Sequence, residues 1–457
     1  MKSALPVAPL VPEKKISHLL KKALQWMQVN SIILVNAGSL VGTTVVTSLL
    51  GFVYWWLAAR EFPPEVVGFA SAAISAMTLL GMFALLGLGT LLLGELPRQR
   101  GREASLISTA LILVGGVGGL LGLAFAVAAP HISADFGALG ASAGNCALFA
   151  FGVSLTAITL VLDDVLIGLF RGGLQLWRNA LFAALKLAAL LAVSLWVSHV
   201  VGLTIYATWA IGNICSLAVL AVYVLVKKGW GGRGYLPQWE LVRKLGLPAL
   251  RHHLLNVTLQ APALILPVLV TVLLSASVNG WFYVSWNLSS IANIFSVALT
   301  ITLYAAASAQ PGTLARKMRL TLSLSFAASV LANVVLLVGT RQVLDFFGHS
   351  YAEQAAWSLR ILSLESFPFI IKSHYIAVNR IQGRVSHAVH LTITTGALEL
   401  GGSALGALVG GLTGLSAGWF SAMCIEAVFM SRTVFKAARL TGASETPEST
   451  RLEGFSS

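Results

Sequence analysis

Residues 104–130 read ASLISTALILVGGVGGLLGLAFAVAAP, an apolar run without a charged side chain. An α-helix rises about 1.5 Å per residue, so about 20 apolar residues suffice to cross the hydrocarbon core of a bilayer. This run is longer than that requirement. It therefore predicts a membrane-spanning helix.

The rest of the chain has the same character. The sequence is 57% hydrophobic and only 10% charged, whereas soluble domains carry roughly 25% charged residues. No ten-residue alternation typical of a membrane β-barrel occurs. We therefore expect an all-α integral membrane protein with about twelve transmembrane helices. The runs are 31–59, 66–94, 104–130, 139–170, 179–198, 202–226, 246–275, 278–309, 318–340, 354–379, 385–409 and 412–437.

The basic residues predict the orientation. With the N-terminus placed in the cytoplasm, 24 of the 30 lysines and arginines fall on cytoplasmic segments, against Arg60 and Arg341 outside. This bias predicts that both termini are cytoplasmic. The net charge of +13 is thus a topology signal, because basic residues dispersed over short loops form no nucleic-acid surface.

The segment 227–245 is the longest internal loop and divides the chain into halves of six helices, 31–226 and 246–440. Sliding 36–100 onto 248–312 aligns Gly68 with Gly280, which indicates a parallel repeat. Two like-oriented halves around a central cavity are a common transporter plan. The flanks are predicted to be cytoplasmic tails, 1–30 with an amphipathic interfacial helix and 441–457 without order.

Charged residues at membrane depth are the main clue to function. Each would cost about 2.5–3.5 kcal/mol at a helix centre, so a wet, charged vestibule is expected instead of lipid contact. Most are predicted to lie in the cytoplasmic third, with Glu365 deeper and Glu399 in the outer half. The basic residues are Lys186, Arg251, Arg360 and Lys372, and the acids are Asp163, Asp164, Glu365, Glu399 and the more interfacial Glu426.

Simpler interpretations stay open for several of these residues. In one interpretation Lys186 pairs with Asp163 or Asp164. In another, Glu426 extends its carboxylate to the membrane surface or pairs with Arg432. Glu365 and Lys372 are seven residues apart, on one helical face, and are each other's nearest partners. A further simple interpretation is that His252 and His253 face loops as ordinary polar residues. Cys146, Cys215 and Cys424 are predicted to be structural thiols, because their spacing suits no metal.

The stretch GLPALRHHLLN at 246–256 suggests an anion site. Pro248 predicts a helix start there, which places Arg251 in the first turn. Positive charge at a helix N-terminus favours an anion, which also meets free backbone N–H groups. We therefore expect Arg251, His252, Lys186 and Lys372 to bind an anionic headgroup, with Asp163, Asp164, Glu365 and Glu399 as ion-coupling acids.

Residues 36–99 resemble the opening of the polysaccharide transporters, the O-antigen flippase-like branch of the multidrug/oligosaccharidyl-lipid/polysaccharide exporter superfamily. The likeness includes Asn36 in the first helix, Val67-Gly68 after an acidic, proline-containing loop, and the turn Leu86–Gly89 (LGLG). The stretch 165–187 (VLIGLFRGGLQLWRNALFAALKL) is similar to that family's connection between its fourth and fifth helices.

The resemblance implies two six-helix lobes in a V around a cation-lined cavity. It implies a flippase that moves polyprenyl-diphosphate-linked oligosaccharides to the outer leaflet of the bacterial inner membrane, with an ion gradient driving its return. Arg251 fits the cavity lining by position, and Asn36 is taken as a further substrate-binding residue. The implied partners are the lipid-linked glycan, membrane lipids, and the pathway's polymerase and glycosyltransferases, with no cofactor.

Two other functions are weighed against the flippase. A drug or organic-cation antiporter of the multidrug and toxin extrusion type requires an acidic cavity, whereas the cytoplasmic third here includes basic residues. A membrane enzyme of the same pathway is disfavoured because the outer loops are short and their acids, Asp135 and Asp345, are isolated. No G-x-x-x-x-G-K motif occurs, so ATP hydrolysis in a P-loop is not expected.

Overall fold

The computed structural model describes residues 31–97, 101–228, 239–309 and 313–439, without the side chains of 31–38, 40–41, 239–252, 305–306, 308–309 and 385. Every regular element in these ranges is helical. The helices are α1 Ser31–Glu61, α2 Pro64–Ala84, α3 Leu88–Glu95, α4 Glu103–Ile132, α5 Gly137–Gly140, α6 Ala143–Gly168, α7 Gly172–Trp196, α8 Gly202–Lys228, α9 Trp239–Leu273, α10 Ala276–Ser290, α11 Ile294–Ala309, α12 Leu314–Val338, α13 Thr340–Asp345, α14 His349–Gln354, α15 Ala356–Leu364, α16 Ser366–Ile381 and α17 Val385–Arg439. Short 3₁₀ turns occur at Ala134–Phe136 and Ile291–Asn293.

The described part of the chain makes twelve passes. By length and composition, ten helical stretches could cross a membrane, and α17 contains two passes because its backbone is non-helical at Gly410 and Gly411. The broken helix α15–α16 adds the twelfth. The prediction of an all-α membrane protein with about twelve spanning helices is confirmed.

Several passes are interrupted where the hydropathy pattern shows one run. Leu86 and Gly87 have positive φ angles of 49° and 83°, so α2 ends and α3 begins at the LGLG turn. Glycine tolerates this left-handed conformation, which explains its place there. Gly89 follows in α3, where a Cβ would overlap the carboxylate of Asp164. The glycines of this turn therefore bring α3 against α6.

Two predicted helix starts are wrong. The segment 171–178 was expected to be a cytoplasmic connection, but α7 begins at Gly172 and Arg178 lies inside it. Helix α9 begins at Trp239, so Pro248 and Arg251 lie well within the helix and not in its first turn. Hydropathy marks where a helix meets lipid, and a polar, amphipathic segment can continue the same helix beyond that level.

The two lobes, α1–α8 and α9–α17, repeat one another closely. Helix α2 begins at Pro64 and α10 at Ala276, a separation of 212 residues (276 less 64). Helix α7 begins at Gly172 and α17 at Val385, a separation of 213 (385 less 172). The repeat inferred from hydropathy therefore holds for helix boundaries in both halves of each lobe.

The repeat brings its own equivalent glycines into contact. A Cβ on Gly68 of α2 would overlap the carbonyl oxygen of Ala276, and a Cβ on Gly280 of α10 would overlap that of Pro64. Equivalent residues of two parallel repeats meet in this way only close to the axis that relates them. The pair Gly68 and Gly280 therefore marks the centre of the seam between the lobes.

Polar and aromatic contacts join the lobes around this glycine pair. Asn279 donates to the Gly68 carbonyl at 2.7 Å and to Ser71 Oγ at 3.0 Å. The carboxylate of Asp135 accepts a hydrogen bond from the backbone N–H of Ala276 at 3.1 Å. The expectation that Asp135 is isolated is therefore wrong. The rings of Trp55 and Tyr283 lie 4.6 Å apart. With the predicted orientation, this is the extracytoplasmic end of the lobes.

The other end of the seam has a different character. His253 on α9 contacts the Met82 carbonyl of α2 through Nε2 at 3.0 Å, and it is buried. The expectation that His253 faces a loop is wrong, because α9 packs along α2. On the other side of the molecule, the hydrogen bond and ring contacts that join α1 to the second lobe involve Phe52, Trp55 and Trp56, near its outer end.

A side chain at position 68 is expected to force the lobes apart. Gly68→Ala places a methyl group into the Ala276 carbonyl, and overpacking of this kind costs about 1–3 kcal/mol. We expect a lower Tm for the purified protein. Gly51→Ala is the matched control, since nothing lies within 4 Å of a Cβ there. Equal Tm values for the two variants would contradict the close approach.

The predicted interfacial helix at 13–28, the C-terminal tail and the centre of the inter-lobe segment, 229–238, lie outside the described residues.

Candidate transport site: buried charges of the two lobes

Three charged side chains meet inside the second lobe, and we call them the Lys372 triad. Lys372 on α16 donates to Glu399 Oε1 at 2.6 Å and to Glu426 Oε2 at 3.1 Å. The glutamates come from the two limbs of α17, 385–409 and 412–439, and each is 1% exposed. Thr395 donates to the other oxygen of Glu426 at 2.7 Å. Both carboxylates therefore depend on one ammonium group.

Glu365 lies seven residues, about two helical turns, before Lys372, and its partners are neutral. Trp419 donates its Nε1–H to Glu365 Oε2 at 2.6 Å, and Asn293 donates to Oε1 at 3.1 Å. Glu365 stands at the junction of α15 and α16, and Asn293 stands in the 3₁₀ turn between α10 and α11. A carboxylate is thus held where two of the lobe's passes are interrupted.

These contacts correct three sequence-based pairings. Lys372 bonds to Glu399 and Glu426, and its predicted partner Glu365 is held by other groups. Glu426 neither snorkels nor meets Arg432, because it is buried in the triad. Glu399 belongs to the same cluster instead of a separate outer level. The reversal of α17 at its glycine pair lays its two limbs together, and linear spacing contains no information about that reversal.

The acids of the first lobe also have a different partner from the one predicted. Asp163 on α6 binds Arg178 on α7 at 2.8 Å, and Asn179 donates to the same oxygen at 3.0 Å. Arg178 is only 2% exposed. The pairing of Lys186 with Asp163 or Asp164 is therefore wrong: Arg178, about two turns before Lys186 in the lengthened α7, binds Asp163.

Lys186 lies instead among aromatic rings, and we call this arrangement the Lys186 box. Its Nζ is 3.7 Å from the ring centre of Trp209, 5.0 Å from Phe182 and 5.1 Å from Tyr54. The side chain is 6% exposed. Cation–π attraction stabilises a buried ammonium at these distances. Among the described residues, no carboxylate and no hydrogen-bond acceptor meets its three N–H donors.

Lys186 and Glu399 occupy equivalent positions in the two repeats. Position 399 is 213 residues after position 186 (399 less 186), the same separation as the starts of α7 and α17. One lobe therefore carries a lysine where the other carries a glutamate. Lys186 is about 14 residues from the inner start of α7, roughly 21 Å at 1.5 Å per residue, so it is deeper than the cytoplasmic third predicted for it.

Comparison with models of known protein families identifies the family of the chain. The model of the polysaccharide biosynthesis protein family matches residues 33–308. The chain belongs to this family. Comparison with curated protein sequences returns no relative.

Solved structures similar to this polysaccharide biosynthesis family protein are transporters. An inward-facing multidrug resistance MATE family transporter of the MOP superfamily matches with a TM-score of 0.69 and 13% identity, over 88% of this chain and 99% of that one. An outward-facing structure of such a transporter matches with 0.55 and 13%, over 89% and 96%.

A third similar structure comes from Pyrococcus furiosus, a MOP superfamily transporter described as having a binding pocket of reversed polarity. It matches with a TM-score of 0.55 and 14% identity, over 89% of this chain and 96% of that one. At such identities the likeness establishes the fold. It is a fold that solved MATE and MOP superfamily transporters share.

Three of the predicted substrate residues of this family member are only partly placed. Asn36 lies on α1, and Arg251 and His252 lie on α9, but their side chains are outside the described set. The anion site predicted from backbone N–H groups at Arg251 loses its basis, because residue 251 is internal to α9. Lys372 is engaged by two glutamates, so Lys186 is the described membrane-depth lysine left without a carboxylate. Arg360 has no carboxylate either, but it is partly exposed and donates to Thr340 Oγ1 at 3.4 Å.

The site contains residues that sequence reasoning missed. Arg178 was counted among the interfacial cations, and Trp209, Trp419, Thr395 and Asn293 were not considered. A polar side chain within an apolar run is the only sequence signal for Asn293 and Thr395. For the tryptophans no signal exists, because an indole in a membrane helix more often faces lipid or the interface.

Proposed function

We propose that this protein is a flippase that carries a polyprenyl-diphosphate-linked oligosaccharide from the inner to the outer leaflet of the bacterial inner membrane. Family membership and the MOP-type exporter fold support transport of a polysaccharide precursor. We further propose that both termini are cytoplasmic, since the basic residues are concentrated on that side.

The observation that carries the proposal is the uncompensated charge of Lys186. An ammonium held in the middle of a membrane protein without an anionic partner is costly, and such a residue is a functional candidate by default. Its sign suits an anionic substrate such as a diphosphate. The rings of Trp209, Phe182 and Tyr54 that surround it keep the charge stable while no substrate is bound.

Arg251, His252 and Asn36 are proposed as further substrate contacts on α9 and α1, the first helices of the two lobes. Glu365 and Glu399 are proposed as the ion-coupling acids, since they are buried, mid-membrane carboxylates in the second lobe. In this proposal Lys186 in the first lobe binds the anionic substrate, and Glu365 and Glu399 in the second lobe bind the driving ion.

Alternating access supplies the movement. The contacts of Asn279, Asp135 and Trp55 lie at the outer end of the seam, so the described conformation is taken as inward-facing. Export then requires these contacts to break while the inner ends of the lobes approach one another.

A drug or organic-cation antiporter is the second candidate. The excess of glutamate over lysine in the second lobe favours it, because an acidic site attracts cations. The two functions differ in what they require of Lys186: an anion carrier needs its charge, whereas a cation carrier gains from its removal.

Lys186→Met is therefore the deciding variant. Methionine keeps the length and the apolar contacts with the rings but removes the charge. We expect surface polysaccharide to fall at least about tenfold at unchanged membrane abundance, which corresponds to about 1.4 kcal/mol of lost interaction. Lys186→Arg should retain part of the export, because the charge remains in an altered shape.

The matched control is Lys227→Met, which removes an exposed lysine at the cytoplasmic end of α8. It should leave export close to that of the wild type. Full export by Lys186→Met would remove Lys186 from the substrate site, whereas lost export together with improved resistance to organic cations would favour the antiporter.

A further inference from the structure

We infer that Lys372 is a tethered internal cation that occupies the place of a coupling metal ion in the second lobe, so that the ion exchanged at this site is a proton. The inference rests on the proposed ion-coupled export and names the ion that drives it.

The position of the ammonium is the first step. Nζ of Lys372 bridges one oxygen of Glu399 and one of Glu426, at 2.6 and 3.1 Å. These two carboxylates arrive on opposite limbs of α17, and Thr395 adds a third oxygen beside them. Oxygens of this kind, converging from different helices, form the usual surroundings of a hard cation. In this chain the Lys372 ammonium occupies the position between these oxygens.

The charge of the triad is the second step. One ammonium and two carboxylates leave one excess negative charge among side chains that are almost fully buried. Such a charge is costly in a low-dielectric interior, and the cost disappears if the carboxylates share one added proton. The proton comes from water and is returned to it, so the triad alternates between a net charge of zero and minus one.

Competition is the third step. A metal ion at the same carboxylates would stand close to a like charge and would find its ligand oxygens already used as acceptors. Among the described residues, no group of three or more histidine, cysteine or acidic side chains is arranged to hold a metal. The tethered ammonium therefore excludes sodium, while a proton needs no space.

Other titratable groups on the elements packed around the triad have their own surroundings. Glu365 is bound by Trp419 and Asn293, and His374 contacts Thr321 and the Ile370 carbonyl. The side chains of Arg251 and His252 on α9 lie outside the described set. The remaining groups are His253 on α9, Tyr304 on α11, Arg316, Lys317 and Arg319 on α12, Arg360 on α15, Tyr375 and Arg380 on α16, and His387, His390, Cys424, Arg432, Lys436 and Arg439 on α17.

The experiment measures ion binding without any glycan, so its failure is separate from failure of the flippase proposal. The Tm of the purified protein is followed as NaCl replaces choline chloride at constant ionic strength. The wild type should show no sodium-dependent rise. Lys372→Ala removes the ammonium and leaves both carboxylates, so its Tm should rise with sodium and saturate. The double variant Lys372→Ala/Glu399→Gln should lose most of that rise.

A second measurement uses variants that keep Lys372 and does not depend on the folding of Lys372→Ala. Without sodium, the wild-type Tm should fall as pH is raised, because the shared proton is lost and the excess negative charge returns. Glu399→Gln should flatten this dependence, whereas Glu353→Gln, on an exposed outer helix, should not. Sodium-dependent stabilisation of the wild type that disappears in Glu399→Gln would overturn the inference, as would a wild-type pH dependence that Glu399→Gln leaves unchanged.

Discussion

Arg178→Met is expected to deplete the folded protein from the membrane. The substitution leaves the Asp163 carboxylate beside Asn179 alone, without the guanidinium 2.8 Å away. Removing one partner of a buried ion pair typically costs 3–5 kcal/mol, which is a large share of the 5–15 kcal/mol of a usual domain. Membrane abundance and the Tm of the purified protein measure the effect.

The compensating variant shows whether the effect comes from charge. Arg178→Met/Asp163→Asn removes both charges and should recover much of the lost Tm, because no buried charge is left unpaired. Arg171→Met, an exposed arginine directly before α7, is the control and should change little. If the double variant is as unstable as the single one, the guanidinium acts through packing and not through Asp163.

The same double variant also tests the predicted coupling role of Asp163. If Asp163 only holds α6 to α7, export by Arg178→Met/Asp163→Asn should keep its dependence on the ion gradient. Loss of that dependence at normal abundance would return Asp163 to the coupling acids, alongside Glu365 and Glu399.

Asn279→Leu is expected to shift the protein towards the outward-facing state. Leucine keeps the branched shape but removes the two inter-lobe hydrogen bonds to Gly68 and Ser71, and the Gly68 carbonyl then keeps only donors of its own lobe. A hydrogen bond contributes about 0.5–1.5 kcal/mol net, so loss of the two bonds should change the ratio of the two states about tenfold to a hundredfold. Spin labels at Glu65 and Glu353, on the outer ends of different lobes, measure the opening as a longer distance.

The control for this experiment lies on the same helix. Asn287 donates to the Tyr283 carbonyl within α10, so Asn287→Leu removes a hydrogen bond without touching the other lobe. Its distance distribution should match that of the wild type. Identical distributions for Asn279→Leu and the wild type would mean that the outer seam is held by the glycine contact and the aromatic rings alone.

Sequence alone reached the fold because its evidence is local. A bilayer requires long apolar helices, so twelve passes could be counted one run at a time. The lysines and arginines of each loop predict its side of the membrane in the same local way. The repeat was also readable, because the apolar runs of 36–100 recur 212 residues later in 248–312. Only the break between the last two runs, 385–409 and 412–437, was predicted from hydropathy, whereas 66–94 was predicted as one run across the LGLG turn.

The partners of the buried charges needed the tertiary structure. The sequence determined which charges lie in the membrane, since any acid or base within an apolar run is visible, but not which of them meet. Arg178 takes Asp163 because α7 begins earlier than its apolar run, and Lys372 takes Glu399 and Glu426 because α17 reverses at Gly410 and Gly411. Lys186 is left with three aromatic rings for the same reason: the pairing of charges depends on helix packing, and packing joins residues that the chain keeps far apart.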